Sequence, residues 1–249
     1  MRSRLIQDTS TLEPTWREWL AALAPPTRAL DAWLGRDDRL LIIAPHPDDE
    51  VLACGGLLFD HHARGGRSLI VAVTDGEASH APSAQWDAVA LAHRRNVERL
   101  AGLRALGLDA PDVVRLGLPD GRAADPRTRL TERLLALMAP TDVVVATWRL
   151  DGHPDHDAAG SAAAQASAVH GCRLIEAPVW MWHWAEPDDP RIPWHRLHAL
   201  ELGVPAVAHK RAALSAHVTQ LTARDAGRGP VLDGAIIARA LRGAEYFFV

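Results

Sequence analysis

The sequence contains two runs of strand length that each lead into a His-Pro-Asp tripeptide. The first run, residues 40–44, is followed by His46 and by three consecutive acids that end at Glu50. The second run, residues 141–147, is followed by the His-Pro-Asp-His motif of residues 153–156. A helix-like sequence follows the first motif, so the ionisable side chains of this motif lie where a strand ends and a helix begins. In an open α/β sheet, ligands bind at these carboxyl ends of the strands.

Strand-like and helix-like segments alternate along most of the chain, which has 249 residues, 48% of them hydrophobic. This alternation is typical of a parallel sheet with crossover helices. We therefore predict an α/β fold in a single domain: a doubly wound, mainly parallel, Rossmann-like sheet with helices on both faces. The expected strands are residues 40–44, 68–73, 113–116, 141–147 and 173–179. The main expected helices are residues 51–62, 85–106, 130–137 and 158–169.

The first part of the chain is expected to precede this sheet as a separate helical segment. Trp16 and Trp19 belong to an apolar pattern with helical spacing, and a second short helix is expected after it. The predicted division is an N-terminal helical extension at residues 1–37 and a main domain at residues 38–249. We expect the tryptophans to anchor the extension on the outside of the domain.

Composition argues against several classes of protein. A formal net charge of −4 and a pI near 6.3 give no electrostatic reason to expect a nucleic acid or an anionic membrane as partner. Cys54 and Cys172 are too few for a disulfide framework and form no Cys-x-x-Cys motif, which suits a reducing compartment. We find no run of about eighteen apolar residues and no signal-peptide pattern. We therefore expect a cytoplasmic protein with a small-molecule substrate and no membrane span, and a homo-oligomer is left open.

The two motifs supply a donor set that suits a catalytic metal ion. His46, Asp49 and His156 offer two imidazoles and one carboxylate, two of them close in sequence and the third brought in by the fold. Three protein ligands that leave a position for water are typical of catalytic zinc sites, whereas structural sites have four. We therefore predict a divalent ion such as Zn2+ at these three side chains, with another metal such as Fe2+ left open.

The neighbouring residues of both motifs suggest the catalytic groups. Asp48 stands next to Asp49, and side chains diverge at a helix start, so one carboxylate can bind the metal while the other acts as general base on the activated water. His153, three residues before His156, is expected to be an imidazolium that stabilises an oxyanion or protonates a leaving amine. Asp155 is expected to orient His153 and raise its pKa. The implied reaction is metal-assisted hydrolysis of an amide.

Three other interpretations compete with this one. The acids at residues 48–50 also suit an ordinary helix N-terminus, with Pro47 as a helix-start residue, but the second His-Pro-Asp motif at another strand end argues against this. A dinucleotide-binding oxidoreductase would share the sheet type, yet no Gly-x-Gly-x-x-Gly follows a strand, and Gly55-Gly56 lies inside the first helix. A sugar-binding protein without turnover is disfavoured because the predicted catalytic set is complete.

At these motifs the sequence resembles the PIG-L/LmbE family of zinc-dependent de-N-acetylases. The family signature is a strand followed by Ala/Pro-His-Pro-Asp-Asp-Glu and, later, by His-Pro-Asp-His. Residues 44–50 and 153–156 match both parts. Further matching segments are residues 74–77, 116–121, 210–220 and 244–247. The resemblance covers roughly residues 38–249 and implies that this region is a deacetylase domain.

The resemblance also implies roles for individual residues. It gives His46, Asp49 and His156 as metal ligands, Asp48 as base, and His153 with Asp155 as the acid or electrostatic pair. It places Arg95 and Asp120 where family members contact sugar hydroxyls. Some members of the mycothiol pathway have a tyrosine two residues before the second motif, and this chain has Asp151 there, which argues against transferring that substrate.

The predicted function is therefore a zinc-dependent deacetylase, a hydrolase of linear amide bonds. Its expected substrate is an N-acetylated amino sugar, such as N-acetylglucosamine, or a conjugate of one. The alternatives are an amidase that acts on a thiol conjugate or other small amide with the same metal site, and a catalytically silent sugar-binding relative.

Two further features allow more than one interpretation. The sequence has a tryptophan at every second position from Trp180 to Trp184. An extended backbone would put the three indoles on one face. This face could belong to the core or form a stacking wall for sugar rings. His217 shares a predicted helical face with Lys210 and is a candidate for the crevice. The other histidines outside the motifs are expected to be surface residues or satisfied core residues.

Overall fold

The computed structural model describes residues 11–225 and 227–249. Within them a seven-stranded sheet is formed by β1 (Arg39–Ala44), β2 (Arg67–Thr74), β3 (Val113–Leu118), β4 (Val143–Thr147), β5 (Arg173–Ala177), β6 (Leu197–Glu201) and β7 (Ala244–Phe248). The spatial order is β3-β2-β1-β4-β5-β7-β6. Strands β1 to β5 are parallel, whereas β7 is antiparallel to both β5 and β6. The predicted doubly wound, mainly parallel α/β sheet is confirmed.

Helices flank both faces of this sheet. In chain order they are α1 (Glu13–Leu23), α2 (Leu30–Trp33), α3 (Asp49–Ala63), α4 (Ala88–Ala105), α5 (Leu130–Leu135), α6 (Pro154–His170), α7 (Met181–Trp184), α8 (Val204–Ser215), α9 (Val218–Leu221) and α10 (Gly234–Ala240). Helices α3, α4 and α8 contribute to the apolar core on one face, and α5 and α6 to the core on the other. None of the helices in the described residues is both long and apolar enough to span a membrane.

Strand β1 is buried on both of its faces, which explains its uninterrupted apolar sequence. Leu40 and Ile42 belong to the core that contains α3 and α4, whereas Leu41 and Ile43 belong to the core that contains α5 and α6. The strand is therefore held from both sides, and the turn that follows it starts from a fixed point.

The chain reverses its direction of winding between β1 and β4. From β1 it proceeds through β2 to β3 at one edge, and it then returns to β4 on the other side of β1. Strands β1 and β4 are directly paired, from Leu40 with Val143 to Ile43 with Ala146. Their carboxyl ends are neighbours at the topological switch point, where ligands bind in such sheets. The two histidine motifs follow these two strand ends.

The N-terminal segment packs against the chain between β5 and β6. Trp16 of α1 is fully buried, and its indole N–H donates to the carbonyl of Trp182 at 3.0 Å. Trp19 packs against Trp194 with ring centroids 4.4 Å apart. Helices α1 and α2 occupy the region predicted to be an extension, but its boundary with the main domain stays a prediction. Residues 1–10 of that prediction lie outside the described residues.

The tryptophan-rich segment after β5 turns into a helix, so the predicted extended stripe is wrong. Trp182 and Trp184 lie in α7 and are buried in the cluster that contains Trp16, while Trp180 precedes the helix. Asp151 holds this turn, because its carboxylate accepts N–H bonds from each of residues 179–181. A side chain from another part of the fold thus overrides the local alternation.

Candidate metal centre

The turn after β1 is shaped by hydrogen bonds to its neighbours. Thr74, at the end of β2, donates its N–H at 3.0 Å and its hydroxyl at 2.8 Å to the carbonyl of Pro45. The N–H of His46 donates to Asp49 Oδ2 at 2.9 Å. Asp48, just before α3, has a φ of 153°, which is rare for a residue with a side chain. Backbone strain of this kind is typical of functional turns.

Three predicted ligand atoms lie at nearly equal distances from one another. Asp49 Oδ2 is 3.2 Å from His46 Nδ1 and 3.2 Å from His156 Nε2. The two imidazole nitrogens are 3.3 Å apart. In a tetrahedral site with zinc–ligand bonds of about 2.0 to 2.1 Å, neighbouring ligand atoms are about 3.3 to 3.4 Å apart. The triangle therefore has nearly the dimensions that three zinc ligands require.

Two other groups of potential ligands overlap this triangle. They are His46 with His153 and His156, and His46 with Asp120 and Asp155. The triangle with Asp49 is favoured for two reasons. The side chain of His153 already accepts a backbone N–H through Nδ1, and the carboxylates of the second group contact His46 through Nε2, the nitrogen that points away from His156.

Each histidine of the triangle directs its second ring nitrogen at one or two carboxylates. His46 Nε2 lies 3.1 Å from Asp155 Oδ2 and 3.2 Å from Asp120 Oδ1. His156 Nδ1 lies 2.8 Å from Asp151 Oδ2. Because a carboxylate accepts hydrogen bonds, these contacts place a proton on His46 Nε2 and on His156 Nδ1. The nitrogens that face each other are then available to bind a metal.

The carboxylates around the two imidazoles make this centre favour positive charge. Burial acts to lower the pKa of each histidine, but contacts with the surrounding aspartates raise the pKa of His46 well above its ordinary value and that of His156 to about 9. Burial acts to raise the pKa of Asp49, yet His156 and His46 hold it well below its usual range. A site that attracts protons this strongly is suited to hold a divalent cation in their place.

Asp48 lies beside the triangle and is paired with a buried arginine. Its Oδ2 is 3.1 Å from Arg95 Nη2. Arg95 also donates to the carbonyls of Gly76 and Pro47, at 2.8 and 3.2 Å, which fixes its guanidinium. Burial raises the pKa of Asp48 to about 7, against the opposing charge of Arg95. A carboxyl group that titrates near neutral pH is suited to accept and release a proton.

His153 lines the pocket beside the metal centre, and its imidazole is neutral. Its Nδ1 accepts the N–H of Asp155 at 3.2 Å, so its ring proton is on Nε2. Burial and the positive charges of His156 and His46 lower its pKa to about 3. The hydrogen bond to Nδ1 thus favours a neutral N–H donor at Nε2 over the predicted imidazolium.

Asp155 supports His46 through its carboxylate. Its Oδ2 contacts His46 and accepts the N–H of Gly121 at 2.7 Å, and its Oδ1 accepts the N–H of Ala123 at 2.9 Å. The charge of Asp155 raises the pKa of His153, as predicted, but burial and the charges of His156 and His46 outweigh it. Only its backbone N–H is bonded to the His153 ring.

Arg95 and Asp120, the residues implied to contact substrate, both line the pocket at this centre. Asp120 Oδ2 accepts the N–H of Ala78 at 2.8 Å. Burial acts to raise the pKa of Asp120, but the contact with His46 holds it below its usual range. Both side chains are thus fixed by protein contacts, and their contact with substrate stays a prediction.

The pocket at the centre has a volume of about 590 Å3. Side chains of both motifs line it, together with Trp180, which was a candidate for stacking on sugar rings, and Gln220, which lies in a segment that matches the family. His183 and Arg224 also line it, and the sequence did not single them out. Trp180 lies beside His153 with ring centroids 6.4 Å apart and ring planes at 23°. A larger surface hollow of about 810 Å3 lies beside α5, and no residue of the two histidine motifs lines it.

Asp151 supplies a contact that sequence reasoning missed. It is fully buried and contacts His156, so it does not face the pocket. The only available signal was its place between a predicted strand end and the second motif. His217, the predicted crevice candidate, is fully buried and does not line the pocket.

Comparison with known families identifies the domain. The family model PIG-L, described as "GlcNAc-PI de-N-acetylase", matches residues 41–167, which contain both histidine motifs. The chain belongs to the PIG-L family. The matched segment holds all three atoms of the triangle.

Curated relatives extend the PIG-L similarity over most of the chain. The 1D-myo-inositol 2-acetamido-2-deoxy-alpha-D-glucopyranoside deacetylase of Rhodococcus jostii (strain RHA1) is 30% identical, with 84% of this chain and 90% of the relative covered. The protein of the same name from Mycolicibacterium gilvum (strain PYR-GCK) is 27% identical, with 84% and 89% covered.

Solved structures share the fold. The conserved protein TT1542 from Thermus thermophilus is 29% identical with a TM-score of 0.60, covering 84% of this chain and 93% of that chain. The A40926 pseudoaglycone deacetylase Dbv21 is 23% identical with a TM-score of 0.63, covering 86% and 96%. Both support the single-domain α/β architecture.

Proposed function

We propose that this PIG-L family protein is a metal-dependent deacetylase that removes the N-acetyl group from an N-acetylated amino sugar or its conjugate. The observation that carries the proposal is the triangle of His46 Nδ1, Asp49 Oδ2 and His156 Nε2 beside the carboxylate of Asp48. The names of two curated relatives describe acetyl removal from a conjugate of this kind, which supports the same reaction here.

His46, Asp49 and His156 would hold the metal. Two imidazole nitrogens and one carboxylate oxygen suit Zn2+ well, and Fe2+ accepts the same donor set. A bound ion would supply Lewis-acid activation of water and of the amide carbonyl. The carboxylates of Asp151 and Asp155 contact the outer ring nitrogens and keep both imidazoles in the ligating tautomer.

Asp48 is the general base. Its carboxylate accepts a proton from the water as the new C–O bond forms, and it passes that proton to the amine nitrogen as the C–N bond breaks. A pKa of about 7 suits a group that must do both. Arg95 holds the carboxylate at 3.1 Å and favours its ionised form.

His153 stabilises the negative charge that develops on the acetyl oxygen. Because Nδ1 accepts the N–H of Asp155, the Nε2–H is the donor that this imidazole can offer to substrate. A neutral donor aimed at developing charge in a buried site lowers the barrier without needing to be protonated first. This role replaces the imidazolium expected from the sequence.

The pocket suits a substrate that contains a sugar ring. Its volume of about 590 Å3 lies within the range of pockets that bury small ligands. Trp180 offers an indole beside His153, and the apolar face of a pyranose stacks on such a ring. Arg95 and Asp120 line the same pocket and are assigned to the sugar hydroxyls.

The test is a screen for acetate release from a panel of N-acetylated amino sugars and their inositol, aryl and lipid conjugates. The assay is run with zinc, after removal of metal with a chelator, and after zinc is restored. We expect acetate from at least one N-acetylamino sugar, lost on chelation and recovered with zinc. Cleavage of thiol-conjugate amides without acetate release would favour the amidase alternative. No hydrolysis in either panel by the zinc-loaded protein would indicate a silent sugar-binding relative.

A further inference from the structure

Asp151 is a fully buried carboxylate whose hydrogen-bonding capacity is used completely. Its Oδ1 accepts the N–H groups of Val179 and Met181, each at 2.9 Å. Its Oδ2 accepts the N–H of Trp180 at 2.9 Å and faces His156 Nδ1 at 2.8 Å. A carboxylate has about four acceptor positions, so Asp151 has none left for substrate.

The bond to His156 determines which tautomer that imidazole adopts. Because Asp151 accepts at Nδ1, the proton stays on Nδ1 and the lone pair stays on Nε2. Nε2 is the atom that lies 3.2 Å from Asp49 Oδ2 and 3.3 Å from His46 Nδ1. Asp151 thereby aims the ligating atom of His156 at the triangle.

The remaining bonds determine where the pocket wall lies. Three successive N–H groups converge on Asp151 just before and at the start of α7, and Trp180 is the middle residue of the three. The indole N–H of Trp184 also donates to the backbone carbonyl of Asp151, at 2.6 Å. The same residue therefore fixes the turn that carries Trp180 beside His153 in the pocket.

We propose that Asp151 is a positioning residue that ties the metal ligand His156 to the aromatic wall at Trp180, so that the ligand and the substrate surface are set by one carboxylate. This inference rests on the proposed function, because it takes the triangle as the metal site.

Asp151→Asn keeps the shape of the side chain and removes its charge. The single side-chain oxygen of asparagine can accept the hydrogen bonds of only one of the two aspartate oxygens. Its NH2 group must then face the N–H donors of the other. If the NH2 faces the partners of Oδ2, His156 has to accept at Nδ1 and loses its ligating Nε2 lone pair. If it faces the partners of Oδ1, the turn at residues 179–181 loses two of its bonds. In both arrangements His156 also loses the negative charge beside Nδ1, which makes its Nε2 a weaker metal ligand, so zinc binding should weaken either way.

The experiment measures zinc affinity by competition with a chromogenic chelator, together with the Tm of the metal-free protein. Asp142→Asn is the matched control, because Asp142 is equally buried and accepts the N–H of Ala139 at 2.7 Å and bonds from Arg39, away from the metal centre. We expect both variants to lower Tm, but only Asp151→Asn to weaken zinc binding, by about ten-fold or more. We also expect KM for the best acetylated substrate to rise in Asp151→Asn only.

Zinc affinity of Asp151→Asn within twofold of the wild type would overturn the inference while leaving the proposed function intact. Failure of the wild type to bind zinc or release acetate would instead count against the proposed function. Should Asp151→Asn not fold, 15N NMR of the zinc-loaded wild type decides, with His156→Gln used to assign the signal. A His156 ring protonated at Nδ1 and ligated at Nε2 supports the inference, and ligation through Nδ1 overturns it.

Discussion

At the scale of single residues, the pKa of Asp48 is raised by burial and lowered by the charge of Arg95. Burial raises its pKa to about 7, and without the charge of Arg95 the rise would be larger. Arg95 cannot move away, because the carbonyls of Gly76 and Pro47 hold the other parts of its guanidinium. The pKa of Asp48, the proposed general base, thus reflects burial opposed by a fixed ion pair with Arg95.

Replacing Arg95 with Gln is expected to move the acidic limb of kcat/KM to higher pH, by about one unit. Loss of the positive charge favours the neutral carboxyl, its pKa rises, and activity is lost at a higher pH as the base becomes protonated. The measurement is kcat/KM from pH 5 to 9. Arg94→Gln is the matched control, because Arg94 is exposed and pairs with Glu98. An unmoved limb in Arg95→Gln would contradict the assignment of Asp48 as base.

His217 is expected to make the protein less stable in mild acid. Burial, helped by the charges of Arg95 and Arg99, lowers its pKa to about 3. In the unfolded chain the group titrates near pH 6.5, so below that pH protons favour unfolding. The stability present at pH 7 should fall by about 2 kcal/mol at pH 5 through this residue alone.

Urea unfolding of metal-free wild type and His217→Gln at pH 7 and pH 5 checks this. The difference in unfolding free energy between the two pH values should be smaller in the variant, whereas exposed His195→Gln should match the wild type. Equal pH dependence in wild type and His217→Gln would refute it.

The sequence predicted which residues form the site better than it predicted which residues they contact. The ligand and base candidates followed from two short motifs. The partner of each imidazole did not follow, because it depends on side chains that meet only in the folded protein. Asp155 precedes His156 in sequence, yet its carboxylate contacts His46. The carboxylate that contacts His156 is that of Asp151.

At the scale of elements, the parallel strands and their crossover helices could be predicted from apolar runs and helical spacing. Strand β6 and helix α7 could not. The sequence of β6, Leu-His-Ala-Leu-Glu, lacks a distinctive apolar run, and it is placed by antiparallel pairing with β7. Helix α7 is four residues long and depends on Asp151. Short elements are set by tertiary contacts more than by their own sequence.

Helix α3, which begins at Asp49, contains a break at Cys54 that a buried ion pair closes. Lys210 donates to the carbonyl of Leu52 at 3.1 Å, before the break. Glu245 accepts the N–H groups of Gly56 and Leu57 after it, at 2.7 and 2.9 Å, and pairs with Lys210 at 2.6 Å. The two side chains thus satisfy both ends of the interrupted helix.

Replacing Glu245 with Gln is expected to lower the unfolding free energy by about 3 kcal/mol, because it leaves the charge of Lys210 buried without a partner. Urea unfolding of the metal-free protein at pH 7.5 is the measurement. Glu132→Gln is the control: its pair with Arg129 is exposed, so a change below about 1 kcal/mol is expected. Comparable losses in the two variants would show that the helix break needs no such support.

At the scale of the whole molecule, the meeting of the two motifs could be predicted because the carboxyl ends of parallel strands lie at one edge of the sheet. The positions of two other segments that line the pocket could not be predicted. Residues 229–233 before α10 and the turn at Trp180 reach the metal centre from the C-terminal third of the chain. Residues 229–233 carry no periodic pattern, and the alternating tryptophans at residues 180–184 predicted an extended backbone where the structure has a helix.

The most direct test of the central claim is to measure bound zinc and acetate release on the same preparations of wild type, Asp48→Asn and His156→Ala. We expect about one zinc per chain in the wild type and in Asp48→Asn, with acetate release in that variant reduced by about a hundred-fold or more. His156→Ala is expected to lose both zinc and activity. Full acetate release from metal-free wild type, or undiminished release from Asp48→Asn, would contradict the account.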